Sequence, residues 1–264
     1  PALRRSMRAI LTLNSGSSSL KASLFRADGT RSDWRFDRIG QGVPNTHADA
    51  VDALLRELGD EVPEAIGHRF VHGGDVAEAA RLLDGPELGR LQDAAGLAPL
   101  HMPANLLGVR LCEARFNVPQ VACFDNAFHD TMPELARRLP IPPALRMRRY
   151  GFHGLSYASI ASRLPAVIGG TAQGRVVVAH LGAGASLCLL QGLKSVDTSM
   201  GYTPAGGIPM ATRSGDLDPG VMVELARRHE HAALSNLVHH GMGLLALSNG
   251  ESADMRELLA SESA

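Results

Sequence analysis

The chain has 264 residues, 45% of them hydrophobic and 20% charged, an ordinary globular composition with room for one large domain or two smaller ones. Its 26 Lys and Arg against 27 Asp and Glu leave a formal charge of -1. That excludes the global basic field of a nucleic-acid binder, so any anion site must be local. No apolar run approaches the length of a membrane span, and residues 9–13, though preceded by Arg4, Arg5 and Arg8, are too short for a signal peptide. The expectation is a cytoplasmic protein with neither nucleic acid nor membrane as partner. Cys112, Cys123 and Cys188 are odd in number and lie in apolar stretches, which reads as reduced core thiols rather than disulfides or a zinc site.

In chain order, residues 9–13 and 20–25 read as strands, Asp28-Gly29 as a hairpin turn and residues 32–39 as a third strand. Val51, Leu54, Leu55 and Leu58 fall at helical spacing with Gly59 as the stop. Residues 65–72 read as a strand, Pro103 as a helix start continued by Leu106, Leu107 and Leu111, and residues 118–124 as the next strand. Three early strands followed by alternating helix and strand predict an α/β protein with a mixed sheet and helices. After a basic, Pro-rich connection over residues 137–149, the pattern restarts: strand 175–181, a small-residue turn from Gly182 to Ser186, and strand 187–190. Strand, Gly/Ser turn, strand thus occurs near the start of each half, as a duplicated fold would produce.

The turn from Asn14 to Lys21, carrying Asn, Gly and three Ser before a Lys, offers backbone N–H groups, hydroxyls and a point charge to an anion. The bland reading is an ordinary Ser/Gly hairpin. Arg69 lies within a strand in a segment closed by Gly73 and Gly74, Asp125 directly follows a strand, where α/β active-site residues emerge, and His153 stands between the glycines Gly151 and Gly154. Each has an ordinary alternative: a strand arginine makes a salt bridge, and such a histidine is a hydrogen-bonding residue. Asp218 before Pro219 reads as the cap of a helix over residues 221–228, and His229, His231, His239 and His240 as solvated surface rather than a metal cluster.

Together the segments resemble the acetate kinase family. The motifs are L-N-S-G-S-S-S-L-K at 13–21, G-H-R-F-V-H-G-G at 67–74, A-P-L-H-M-P-A-N at 98–105, F-D-N-A-F-H at 124–129 and R-R-Y-G-F-H-G at 148–154. They continue with H-L-G-A-G-A-S-L at 180–187, D-T-S-M-G-Y-T-P at 197–204, T-R-S-G-D-L-D-P-G at 212–220 and S-A-D-M-R at 252–256. The resemblance implies a phosphotransferase of the acetate and sugar kinase, heat-shock chaperone and actin superfamily. It implies a duplicated ribonuclease H-like fold, each half a mixed sheet flanked by helices, with domains at 1–153 and 154–264 and the active site in the interdomain cleft. The reaction implied is reversible transfer from ATP to acetate, giving acetyl phosphate and ADP, with Mg²⁺ or Mn²⁺, in a homodimer.

The same resemblance implies roles. Asn14, Ser17, Ser19 and Lys21 match the first phosphate turn, with Asn14 near the metal, and His180, Gly182 and Gly184 match the second. Arg69 and Arg213 match two cations flanking acetate and the γ-phosphoryl group, His153 a donor to its oxygens in the transition state, and Asp125 an acid that positions metal, arginine or substrate. His101 matches a further active-site histidine, Val71 and Phe152 the walls of the acetate pocket, with Pro204 beside them, and Asp254, Met255 and Arg256 a segment bordering adenosine. Propionate or butyrate kinase, and a catalytically silent nucleotide-binding module, are the alternatives.

Two departures bear on activity. Ala183 stands where many relatives carry Asn in L-G-N-G, removing an amide near the phosphates, and A-G-G at 205–207 stands for the frequent L-E-G. The family also continues beyond the segment matching Arg256 with another glycine-rich loop, a metal-associated Glu and a returning helix. The second half is therefore expected to be incomplete and to expose apolar surface, whether as a fragment, a proteolysed species or a truncated reading frame.

Overall fold

A computed structural model describes residues 9–16, 19–37, 39–40, 43–98 and 101–261. The chain groups into two compact units, Pro1–Ala127 and Phe128–Ala264. Residues 128–153, assigned with the first half on sequence, group with the second unit in this division.

In the first unit, β1 (Ala9–Ser15), β2 (Ser19–Arg26) and β3 (Arg31–Asp37) form an antiparallel meander. Alternation makes it amphipathic: Ala9, Leu11 and Leu13 of β1 and Leu20, Ala22 and Leu24 of β2 are all buried. Helix α1 (His47–Leu58) opens on a capping box in which Thr46 and Asp49 satisfy each other's backbone N–H, and it turns Ala50, Val51, Leu54 and Leu58 inward. Gly59 ends it, as its sequence position predicts. Strand β4 (Ala65–Phe70) follows, then β5 (Ala80–Leu82), α2 (Gly85–Asp93), α3 (Met102–Arg115) and β6 (Gln120–Phe124).

The sheet order is β3-β2-β1-β4-β6-β5, with β4 parallel to β1 and β6 parallel to β4. One core joins the inner face of β1 and β2 to Ile66 of β4, to α1 and to Cys112 of α3, with Trp34 and Phe36 packed at its edge. Because β1, β4 and β6 run in the same direction, their carboxyl ends open at one edge of the sheet, the usual place for chemistry in such sheets.

The second unit contains α4 (Glu134–Arg137), α5 (Gly154–Ile168) and an antiparallel sheet of β7 (Arg175–Leu181), β8 (Ala185–Gln191) and β9 (Lys194–Thr198). Helices α6 (Pro219–Arg228), α7 (His231–His240), α8 (Gly243–Leu247) and α9 (Met255–Ala260) complete it. Its core packs Tyr157 and Ala161 of α5 on Cys188 and Leu190 of β8, with Phe128, Val176 and Val178 around them. The hairpin β7–β8 repeats the strand, Gly/Ser turn, strand plan of β1–β2, as expected. Val177 and Leu181 of β7 are 66% and 77% exposed, the apolar exposure expected of this half. Cys112 and Cys188 are buried free thiols and Cys123 is half-buried. No described helix is long and apolar enough to cross a membrane.

Candidate active site

The carboxyl ends of β1, β4 and β6 bring Asn14, Arg69 and Asp125 together. Arg69 donates from Nε and Nη2 to Asp125 Oδ2, at 3.0 and 2.6 Å, and from Nη1 to Asn14 Oδ1 at 2.8 Å. Asp125 is seated directly after β6, its N–H continuing the ladder to the Phe70 carbonyl at 3.0 Å. The Asp125 side chain is 2% exposed and that of Arg69 is 22% exposed, so the carboxylate is the fixed end of the pair and the guanidinium the accessible end. The salt bridge that is the bland reading of a strand arginine is thus present, and it also orients a fork suited to carboxylate or phosphate.

The turn between β1 and β2 is tight: the Gly16 N–H donates to the Ser19 carbonyl at 2.7 Å, and the Gly16 carbonyl faces His47 Nε2 at 2.7 Å. Lys21 stands directly opposite Asn14 in the β1–β2 register and is exposed. Ser19 is half-buried beside the turn, while Ser17 lies outside the described residues. Val71, just past β4, is 2% exposed, in keeping with an apolar wall, and half-buried His101 is the cap residue of α3.

In the second unit a separate group forms around the β7–β8 turn. His153 is the cap residue of α5 in the left-handed conformation, φ 60°, which a non-glycine residue adopts only when its surroundings hold it. Its ring stacks on His180, centroids 4.0 Å apart at 20°, and its Nδ1 lies 2.9 Å from Ser186 Oγ. His180 Nδ1 is 3.0 Å from Ser156 Oγ. Arg213 donates from Nη1 to the Pro204 carbonyl at 2.6 Å, and burial pushes its guanidinium pKa down from its ordinary value, although arginine stays charged in proteins. A Cβ on Gly184 would lie 2.8 Å from Arg213 Nη2 and 3.1 Å from His153 Nε2. The Arg213 guanidinium and the His153 ring therefore both lie close against the Gly184 backbone, where any side chain would crowd them. Gly182 completes this turn, its N–H donating to the Gly184 carbonyl at 3.1 Å, and the Ala183 carbonyl accepts from the Ala211 N–H at 3.1 Å, tying the turn to the Arg213 loop. Phe152 is 1% exposed.

The 254–256 segment is placed differently from these clusters. Asp254 caps α9 by accepting from the Arg256 N–H, and it pairs with the Arg256 guanidinium at 2.5 Å. That pairing takes the Asp254 carboxyl down to about 2. Met255 and Arg256 point largely into solvent. Asp218 caps α6 by accepting from Gly220 N–H, as its position before Pro219 predicts, and His229, His231 and His240 are exposed.

Two supporting residues have no role of their own in the sequence reading. Asn126 accepts from the Gly73 N–H at 2.8 Å and donates to the Gly74 carbonyl at 3.0 Å, fixing the loop after Arg69. His129, 1% exposed, bridges Ser195 Oγ at 2.8 Å and the Phe152 carbonyl at 2.9 Å, and so supports the strained backbone at His153. Both residues stand in the F-D-N-A-F-H motif, from which only Asp125 takes a role on sequence.

The described residues contain no cluster of three or more His, Cys, Asp or Glu able to hold a metal. Two arginine-centred clusters, one at strand ends and one beside a Gly/Ser turn, hold the residues that the sequence motifs single out. The acetokinase family model matches residues 38–264. The chain is 41% identical to an acetate kinase of Nitrobacter hamburgensis, over 97% of this chain and 72% of that relative. Among solved structures, a propionate kinase from Francisella tularensis superposes with a TM-score of 0.83 at 32% identity, covering 96% of this chain and 73% of that one. An acetate kinase from Porphyromonas gingivalis gives 0.77 at 33% identity, covering 96% and 72%. The chain belongs to the acetokinase family, and it spans just under three quarters of the length of these relatives.

Proposed function

We propose that the protein transfers the γ-phosphoryl group of ATP reversibly to acetate, giving acetyl phosphate and ADP. The observation that carries this reading is the meeting of Arg213 Nη2 and His153 Nε2 beside Gly184, where a Cβ would crowd both: a guanidinium and an imidazole nitrogen brought to one place suit an oxyanion that develops charge there. A carboxylate oxygen is already a nucleophile, so no general base is needed. It attacks the γ-phosphorus in line, the new O–P bond forms as the bond to the β-phosphate oxygen breaks, and ADP leaves with the electron pair. In this reading Arg69, oriented by Asp125 and Asn14, holds the carboxylate, and Arg213 and His153 meet the equatorial phosphoryl oxygens. The turns at Asn14–Lys21 and Gly182–Ser186 supply backbone N–H groups to the nucleotide phosphates, and buried Val71 and Phe152 serve the methyl group.

A Mg²⁺ or Mn²⁺ ion would be carried mainly by phosphate oxygens and water, with Asn14, whose Oδ1 accepts from Arg69, and Asp125 supplying the protein oxygens near it. Such an ion would neutralise charge on the β- and γ-phosphates. Assembly as a homodimer belongs to the same reading.

The likeness to a propionate kinase favours a second acceptor, propionate. One methylene changes discrimination by about 10- to 200-fold. Relative kcat/KM for acetate, propionate and butyrate tests the assignment: acetate highest supports it, and a preference for either longer acid by tenfold or more replaces it.

A further inference from the structure

We infer that Tyr157 and Ser186 form a directional hydrogen-bond relay that positions His153 and holds its neutral ring as the Nε2–H tautomer. The inference rests on the proposed role of His153 at the phosphoryl group and assigns two positioning residues to it.

Ser186 Oγ stands between two groups, 2.5 Å from Tyr157 Oη and 2.9 Å from His153 Nδ1. Ser186 and Tyr157 are both 0% exposed, so water does not settle their hydrogens. The direction follows from counting donors, since each hydroxyl has one hydrogen. Burial raises the Tyr157 phenol to about 12, and the hydrogen-bond partner of its oxygen is Ser186 Oγ. Tyr157 therefore keeps its proton and needs an acceptor for it, and Ser186 Oγ is that acceptor. The serine's own hydrogen is then directed at His153 Nδ1, which must carry a lone pair, leaving the ring proton on Nε2. The opposite polarity, His153 Nδ1–H to Ser186 to Tyr157, would strand the Tyr157 proton in the core without an acceptor.

The relay joins three elements. Tyr157 lies one turn along α5 from His153, and Ser186 begins the inward face of β8, directly opposite His180 in the β7–β8 register. The His129 contact to the Phe152 carbonyl fixes the backbone, the His180 ring covers one face of the imidazole, and Ser186 fixes its rotation. Nε2, the atom that approaches Gly184 together with Arg213, is thereby the donor that an anionic phosphoryl oxygen requires.

The test is long-range ¹H–¹⁵N NMR of the whole chain labelled with ¹⁵N-histidine, above neutral pH, with His153 assigned from the spectrum of His153→Gln. The expected result is a protonated Nε2 and an unprotonated Nδ1, giving way in Ser186→Ala to a mixture of tautomers. In kinetics, Ser186→Ala should lower kcat by about tenfold with the KM for ATP and for acetate held within about twofold, and Ser186→Thr, which retains the hydroxyl, should recover most of the loss. A protonated Nδ1 in the wild-type chain, or a His153 spectrum unchanged by Ser186→Ala, overturns the relay. The wild-type spectrum needs neither turnover nor a stable variant. A wrong relay in an active kinase and a correct relay in a protein without kinase activity are therefore separate results.

Discussion

At the scale of the residue, the site depends on what is missing as much as on what is present. Gly184 has an ordinary backbone conformation, so alanine is tolerated by the main chain, but its Cβ would sit 2.8 Å from Arg213 Nη2. The crowded atom is at the end of a long side chain whose Nη1 is held by the Pro204 carbonyl, so the clash displaces the guanidinium rather than the main chain and falls on function more than on folding. Since a displacement of about 1 Å in a positioned group can cost about 10²-fold in rate, Gly184→Ala should lower kcat/KM by about that factor and leave the thermal midpoint nearly unchanged. Steady-state kinetics beside a melting curve checks both, and a loss below twofold would show that the two donors do not act at that point. The residues with an intrinsic chemical signature, Arg69, Asp125, His153 and Arg213, were legible in the motifs. Asn126, His129, Tyr157 and Ser186 take no role from the sequence, although three of them stand in those motifs, because their contacts lie 23 to 66 residues away and no local pattern encodes such pairs.

At the scale of the element, caps and periodicity explain what the sequence disclosed. Helix α1 was readable from its apolar spacing and Gly59, and β7 from its run of valines between polar ends. Strand β5 has three residues and β9 reads Lys-Ser-Val-Asp-Thr, too short or too polar to show a period of two. Helix α5 is rich in small residues and contains Pro165, so its inward face, Tyr157 and Ala161, is hard to find without the sheet it packs on. The strand expected over 65–72 ends at Phe70 because its partner β6 ends at Phe124 in register with it; beyond that the chain turns into the glycine loop held by Asn126. Asp218 distinguishes a structural from a chemical acid. It caps α6 through the Gly220 N–H at 2.7 Å, so Asp218→Ala should cost about 1 kcal/mol in urea unfolding with kcat within twofold of the parent. A large loss of kcat at unchanged stability would instead make it a reacting group.

At the scale of the whole molecule, each of two units carries one arginine-centred polar cluster, and the first also carries a buried polar pair that bears on its acid tolerance. His68 is 2% exposed and pairs with Gln120 Oε1 at 2.6 Å; burial lowers its pKa to about 4. The folded state thus resists a proton that the unfolded chain accepts below its ordinary pKa near 6.5. Stability is complete above that value and falls as the pH drops from about 6.5 through about 4, by up to about 3 kcal/mol. Urea titrations across this window should show the decline, and a flatter profile in His68→Asn; equal slopes would assign it to other groups.

The proposed carboxylate phosphorylation rests on family membership, on the parallel strand ends at Asn14, Arg69 and Asp125, and on the approach of Arg213 and His153 to Gly184. The most direct measurement is hydroxylamine trapping of acyl phosphate, using the full encoded polypeptide with ATP, Mg²⁺ and acetate. The account predicts acetohydroxamate formed in step with ADP, requiring all three components and lost in Arg69→Ala and Arg213→Ala. ATP binding with no hydroxamate above the level of those variants would contradict it and identify a nucleotide-binding protein without this chemistry.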